Sequence, residues 1–189
     1  HGAVNFGLFN PSCTNITFMN NIVAETASTL DLLQDSCSGF VSDFNDFFNN
    51  RPLVVEWNQS WIDWPTYLEI SGQDTHSLIS DPLFMNPATF DFSLRSESLL
   101  ISSGAILART TDAGSGQVVI VTDASNFTDG FGIGSGDVIM IGGNQVNIKA
   151  IDYMDHSVIV DRVIKWNKND AVSFPFTGDA PDMGVSSMQ

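Results

Sequence analysis

Trp57, Trp61, Trp64 and Tyr67 crowd into one short stretch, and their chemistry suits contact with a ligand. Flat aromatic rings stack on the apolar C–H faces of sugars, so the four read as a carbohydrate-binding set. The competing reading is that the same rings pin the segment to a core, the commoner fate of Trp and Tyr. Acidic pairs form a second group: Asp43/Asp46, Asp123/Asp129 and Asp152/Asp155. Two carboxyls can divide acid and base roles in glycoside hydrolysis, or can supply oxygens to Ca²⁺. The plainer reading is solvated turn residues. Asp43 and Asp46 are carried forward as the candidate Ca²⁺ ligands, and no catalytic residue is assigned. Asn15-Ile16-Thr17, Asn58-Gln59-Ser60 and Asn126-Phe127-Thr128 are sequons, which makes Asn15, Asn58 and Asn126 candidate glycosylation sites. His1 could chelate copper through its amine and ring with His76 or His156, but an arbitrary start to the sequence explains it more simply.

Composition narrows the function classes. Of 189 residues, 22 are Asp or Glu and 7 are Lys or Arg, for a net charge of -15. Glutamate occurs only at Glu25, Glu56, Glu69 and Glu97, so the acids are mostly Asp, a residue of turns and loops. Phosphate recognition needs a basic stripe, so no nucleic-acid partner is expected. No stretch approaches the apolar length of a transmembrane helix, so no transmembrane segment is expected. The chain opens on His1-Gly2 without an initiator Met. It therefore reads as a processed product or part of a longer polypeptide.

Elements that would hold these residues follow from periodicity. Residues 1–50 contain two similar units. Asn20-Asn21-Ile22-Val23 aligns with Asn45-Asp46-Phe47-Phe48 at a shift of 25, and Cys13 aligns with Cys37 at 24. Fixed-period similarity is the sign of stacked rungs, in which corner asparagines can form ladders. Val54–Trp57 reads as a strand and Asn58–Trp64 as turn-like. Pro65–Ile70 reads as one or two helical turns, with Pro65 at the start and Gly72 as the stop. Leu83-Phe84-Met85 is a short apolar run and Phe90–Arg95 alternates apolar and polar like a half-buried strand, so Phe84, Phe92 and Leu94 should be buried and Asp81-Pro82 should make a corner. Beyond residue 105, five β-branched runs lie at 117–121, 137–141, 145–151, 157–160 and 171–174. Short turns separate them, among them Gly142-Gly143-Asn144, a hairpin signal. Five short strands with short turns predict a small antiparallel barrel or sandwich.

The stretch SDPLFMNPATFDFSLRSESLLISSG resembles the last coil of secreted right-handed parallel β-helix proteins of the pectate-lyase-like kind. Asp81, Pro82, Phe84, Asp91, Phe92, Leu94, Ser98 and Gly104 carry the likeness, while Leu99 stands where that pattern has proline. NITFMNNIV resembles earlier coils, GQDTHS the run that follows a short helix there, and residues 127–184 a terminal module ending A-P-D-M-G. The resemblance implies an all-β fold: C-terminal coils of a parallel β-helix, then a small antiparallel β module. The expected division is coils over 1–104 with a side excursion at 51–80, the module over 105–178, and a tail over 179–189. It also implies a disulfide between Cys13 and Cys37, one coil apart, against the alternative of two free thiols.

Function is expected from the same likeness. Such proteins are secreted or lie at the cell surface and bind or process polysaccharide. Any catalytic site, of lyase or glycoside hydrolase type, is expected in coils upstream of this chain. A lyase site needs a cationic base, and the first 104 residues contain only Arg51 and Arg95 as Arg or Lys. No cofactor is required, with Ca²⁺ the one candidate. The alternative is a non-enzymatic structural or adhesive protein, even a filament subunit. It would self-associate through open β edges, or pack against upstream coils of its own polypeptide.

Overall fold

The computed structural model describes residues 5–6, 14–24, 30–32, 38–48, 54–57 and 60–184. Its contacts divide the chain into one unit of 1–105 with 182–189 and a second of 106–181.

The first unit begins with strands of two to four residues. β1 (Asn5–Phe6), β2 (Thr17–Met19), β3 (Ile22–Ala24), β4 (Leu30–Leu32), β5 (Val41–Asp43), β6 (Asp46–Phe48) and β7 (Val54–Trp57) pair in parallel as β1-β4-β7, β2-β5 and β3-β6. Thr17 faces Val41 and Ile22 faces Asp46, so the register of these pairs is 24. That is the cysteine spacing, not the 25 of the asparagine alignment. Asn21, rather than Asn20, therefore stands opposite Asn45, and its amide donates to Asn45 Oδ1 at 3.0 Å. Asn20 and Phe44 are the matching corners, both left-handed, at φ 58° and 54°. Asn tolerates that conformation, whereas for Phe44 it is strained.

The expected parallel β-helix solenoid is not what the structure shows. Parallel pairing is confined to small pairs and one three-strand set, and the larger sheet of the protein is antiparallel. The reason is local. β8 (Ser60–Asp63) folds back on β7 as an antiparallel hairpin, Val54 opposite Asp63, and takes the edge where a further parallel strand would add. Asn58–Trp64, expected to be turn-like, supplies this strand. Helix α1 (Trp64–Ser71) follows directly. Asp63 caps it by accepting from Thr66 N at 2.9 Å, Pro65 sits in its first turn, and Gly72 ends it at φ 65°. This is the helix and stop that Pro65 and Gly72 announce. Residues 73–80 then return beside β5 and β6, with one parallel bridge, Asp46 to Leu78.

Asp81 accepts from Leu83 N at 2.9 Å and Leu83 is left-handed, so the corner forms. Beyond it, β9 (Phe84–Asn86) and β10 (Asp91–Leu94) make a two-stranded antiparallel hairpin. Phe92 is 44% exposed there, and Phe84 and Leu94 are only half-buried, against the expectation of burial. A two-stranded ribbon has no second layer to cover it, so Phe84 and Phe92 pack edge to face on each other at 5.3 Å. Met183 is buried, Met183 N donates to Leu100 O and Gly184 N to Asn20 O, so these residues of the expected tail belong to this unit's packing.

The second unit is one six-stranded sheet. In chain order its strands are β11 (Ala108–Arg109), β12 (Gly114–Ile120), β13 (Val138–Ile141), β14 (Asn144–Asp152), β15 (Ser157–Trp166) and β16 (Ala171–Ser173). They lie in the order β11-β16-β13-β14-β15-β12, all antiparallel. Register shifts near Gly116 and Ile148 mark bulges that bend the sheet into a curled half-barrel. Thr110 and Val121, just past β11 and β12, form one isolated antiparallel bridge. Gly142 and Gly143, at φ 52° and 83°, make the two-residue turn between β13 and β14. Alternation puts Ile139, Ile141, Val146, Ile148, Val158 and Val160 on the inner face with Val119 and Val172.

These packing differences set an order of stability costs. Ile139→Ala removes a fully buried side chain and is expected to cost about 2–5 kcal/mol. Phe92→Ala, on the uncovered ribbon, is expected to cost about 1 kcal/mol or less. Urea titration of both variants checks this, and equal large losses would mean that Phe92 has a cover.

Candidate functional site

In the first unit the polar groups converge on one carboxyl. Asp74 Oδ1 accepts from Ser42 Oγ at 2.9 Å, Ser77 Oγ at 2.7 Å and Asn45 Nδ2 at 3.2 Å, and Asp74 Oδ2 accepts from Tyr67 OH at 2.8 Å. Ser42, Asn45, Tyr67 and Asp74 are all buried. Gln73 Oε1 accepts from Ser42 N, and Ser77 Oγ accepts from Asn45 N. The Gly72-Gln73-Asp74-Thr75-His76-Ser77 run is thus a clasp that binds the segment after α1 to β5 and the β5–β6 corner. Burial raises the Tyr67 phenol pKa above its ordinary value, and the Asp74 charge adds to this, so Tyr67 acts there as a donor only. Both oxygens of the Asp74 carboxyl are thus committed to donors within the protein.

Two other acids lie near it. Asp43 Oδ2 meets His76 Nδ1 at 2.7 Å, Asp43 Oδ1 accepts from His76 N at 2.7 Å, and the Phe44 ring stacks on the imidazole at 4.7 Å. Asp46 is fully buried. Its Oδ1 accepts from Ser80 N at 3.0 Å, and its Oδ2 has no partner. Desolvation pushes the Asp46 pKa up to about 7; the Ser80 bond opposes this and the Asp81 charge adds to it. Asp43 and Asp46, the candidate Ca²⁺ ligands, are therefore engaged separately, one with His76 at the surface and one inside. Among the described residues no group of three or more His, Cys, Asp or Glu is placed to hold a metal ion.

The aromatic set divides in the same way. Trp57, Trp64 and Tyr67 are buried with Phe40, Phe47 and Val55 in the core of this unit. Tyr67 lies 5.2 Å from both tryptophan rings. Only Trp61, 57% exposed on β8, can reach a ligand. Asn15 is exposed, whereas Asn126 is half-buried and donates its amide to Leu107 O at 3.2 Å. Asn58 lies outside the described residues, as do Cys13 and Cys37 and with them the expected disulfide.

The surface that sequence reasoning missed is in the second unit. Residues 121–137, between β12 and β13, and the 153–156 turn between β14 and β15 border an open groove of about 330 Å³. Phe131 and Tyr153 lie along it with ring centroids 6.3 Å apart and planes 22° from parallel. At that separation two nearly parallel rings are offset, so together they make a stepped apolar floor. Phe131 is 72% exposed, and Ile133 and Met154 on the same loops are 94% and 92% exposed. Gly130, Phe131 and Gly132 are left-handed in succession, and Asp129 Oδ1 holds Phe131 N at 2.9 Å, which throws the ring outward. Tyr153 OH donates to Phe127 O at 3.0 Å, which fixes the second ring. Desolvation and the Asp129 and Asp137 charges raise the Tyr153 pKa. The sequence signal was present in Gly130-Phe131-Gly132-Ile133-Gly134: large apolar residues set among glycines, with no periodic neighbour to bury them.

Compared with known proteins, the chain matches no protein family, no curated protein and no solved structure. The likeness of its motifs to β-helix proteins therefore has no support from whole-chain comparison. Among the described residues, no helix is long and apolar enough to cross a membrane.

Two outcomes are expected for the first unit. Asp74→Ala leaves four buried or half-buried donors without their acceptor and is expected to cost about 3 kcal/mol or more by denaturant titration. A neutral result would show that water replaces the carboxyl. For Asp46, the folded protein keeps a proton that the unfolded chain releases near the ordinary aspartate value of 3.8. Its contribution is therefore fully present below about pH 4 and is lost as pH rises to about 7, on the order of 4 kcal/mol in all. The stability of the parent relative to Asp46→Asn should fall across that window. A difference that is flat with pH would mean the carboxyl is solvated.

Proposed function

We propose that the protein binds polysaccharide in an extracellular or cell-surface setting, through the groove floored by Phe131 and Tyr153. The observation that carries this reading is the pair of exposed, nearly parallel rings beside polar side chains. The two rings lie side by side rather than singly, and a sugar ring offers an apolar face for them and hydroxyls for the polar rim. The reading differs from one based on Trp57, Trp64 and Tyr67, which are committed to a core. It makes the chain a binding module, with no catalytic step assigned to it.

A second reading is self-association. Ile133 and Met154, on the same two loops as the rings, are also exposed, and a second copy could cover them. The two readings part on Phe131→Ala. If the groove binds sugar, the variant is expected to lose roughly tenfold in affinity for soluble polysaccharide, equivalent to about 1.4 kcal/mol, with an unchanged mass by light scattering. Glycan binding that survives the substitution would remove the proposal. A parent dimer that the substitution dissolves would favour the second reading.

A further inference from the structure

We infer that the groove selects uncharged glycans and rejects polyuronates and sulfated chains. This rests on the polysaccharide-binding reading and specifies its ligand. The side chains that border the rings are Ser125, Asn126, Thr128 and Asp137, and no cationic side chain lines the groove. Anionic sugars are held by Arg or Lys, or by a cation bridging carboxylates. Here the one charged lining residue is an acid, so a sugar carboxylate or sulfate would meet a like charge.

What remains available suits hydroxyl groups. Asp137 Oδ2 accepts from Thr128 N at 2.7 Å, while Asp137 N donates to Thr128 O at 2.9 Å. These bonds fix the carboxyl and leave Oδ1 without a hydrogen bond among the described residues. Asn126 is oriented by its bond to Leu107 O, which leaves its Oδ1 to accept as well. Thr128 Oγ1 accepts from Gly130 N at 3.0 Å, and its hydroxyl is hydrogen-bonded to Tyr153, so it is spent on the loop and the second ring. The second nearby acid, Asp129, is spent on the loop: Oδ1 accepts from Phe131 N and Oδ2 from Ile151 N at 3.4 Å. Its charge still lies close enough to Tyr153 to raise the phenol pKa. The groove thus pairs a stacking floor with fixed acceptors, and a neutral sugar, donating through its hydroxyls, matches both.

The test uses the whole chain in affinity electrophoresis and calorimetry. Hydroxyethylcellulose and arabinoxylan serve as neutral probes, and polygalacturonate and dextran sulfate as anionic ones, all with a chelator present. At about 50 mM salt the expected result is binding to at least one neutral polymer roughly tenfold or more tighter than to either anionic polymer. Asp137→Asn, checked for fold by circular dichroism, should narrow that ratio, as should about 500 mM salt. Anionic binding that equals or exceeds neutral binding, and is lost in Phe131→Ala, would overturn the neutral selectivity and leave the groove as a glycan site. Binding to no polymer, or binding indifferent to Phe131→Ala, would overturn the site itself and this inference with it.

Discussion

Four donors meeting on the Asp74 carboxyl are the constraint on which the first unit depends. The parallel strands there are only two to four residues long, too short to hold by ladder bonds alone. The clasp supplies the missing coupling. Through Ser42 it grips β5, through Asn45 it grips the corner that leads into β6, and through Tyr67 it grips α1. Asn45 then passes the connection on, because its Oδ1 accepts from Asn21 and its Nδ2 reaches Phe18 O at 2.8 Å. A buried network of this kind is costly to leave half-satisfied, so the same bonds that stabilise the arrangement also define it.

Asp46 shows the opposite case within the same unit. Its place in the 24-residue register is apolar in the preceding strand, where Ile22 stands. An acid in an apolar slot keeps one oxygen on Ser80 N and leaves the other without a partner, and its proton affinity rises in consequence. The protein therefore carries a group that titrates near neutrality inside a chain whose net charge is -15.

The half-barrel needs no such clasp. Its strands run to nine and ten residues, its inner face is β-branched, and its bulges and glycine turn generate the curvature. With stability secured by the sheet, its connecting loops are free to carry exposed apolar side chains, a common division of labour between scaffold and loop. The Phe131–Tyr153 floor is an instance. One ring comes from a glycine-rich loop and the other from a hairpin turn, and neither is needed by the core.

Much of the local structure was legible in the residues. Pro65 and Gly72 announced α1, Gly142-Gly143 announced its hairpin, and β-branched runs announced β12 to β16, because each depends on backbone sterics and side-chain period within a few positions. The repeat in the first fifty residues was legible too, though one residue of register was not. Asn20 and Asn21 look alike in sequence, and only the ladder decides which of them faces Asn45. Tertiary structure alone decided whether the parallel pairs would continue into a solenoid. That turned on Ser60–Asp63 folding back on β7, a choice between two edges that strand propensity does not distinguish. It also decided which aromatics face outward. Trp57, Trp64 and Tyr67 are buried because Phe40 and Phe47 come from other strands to cover them, whereas Phe131 meets only the Tyr153 ring and stays exposed. Residue type sets what a ring can do; the partners that long-range packing brings determine whether it is free to do it.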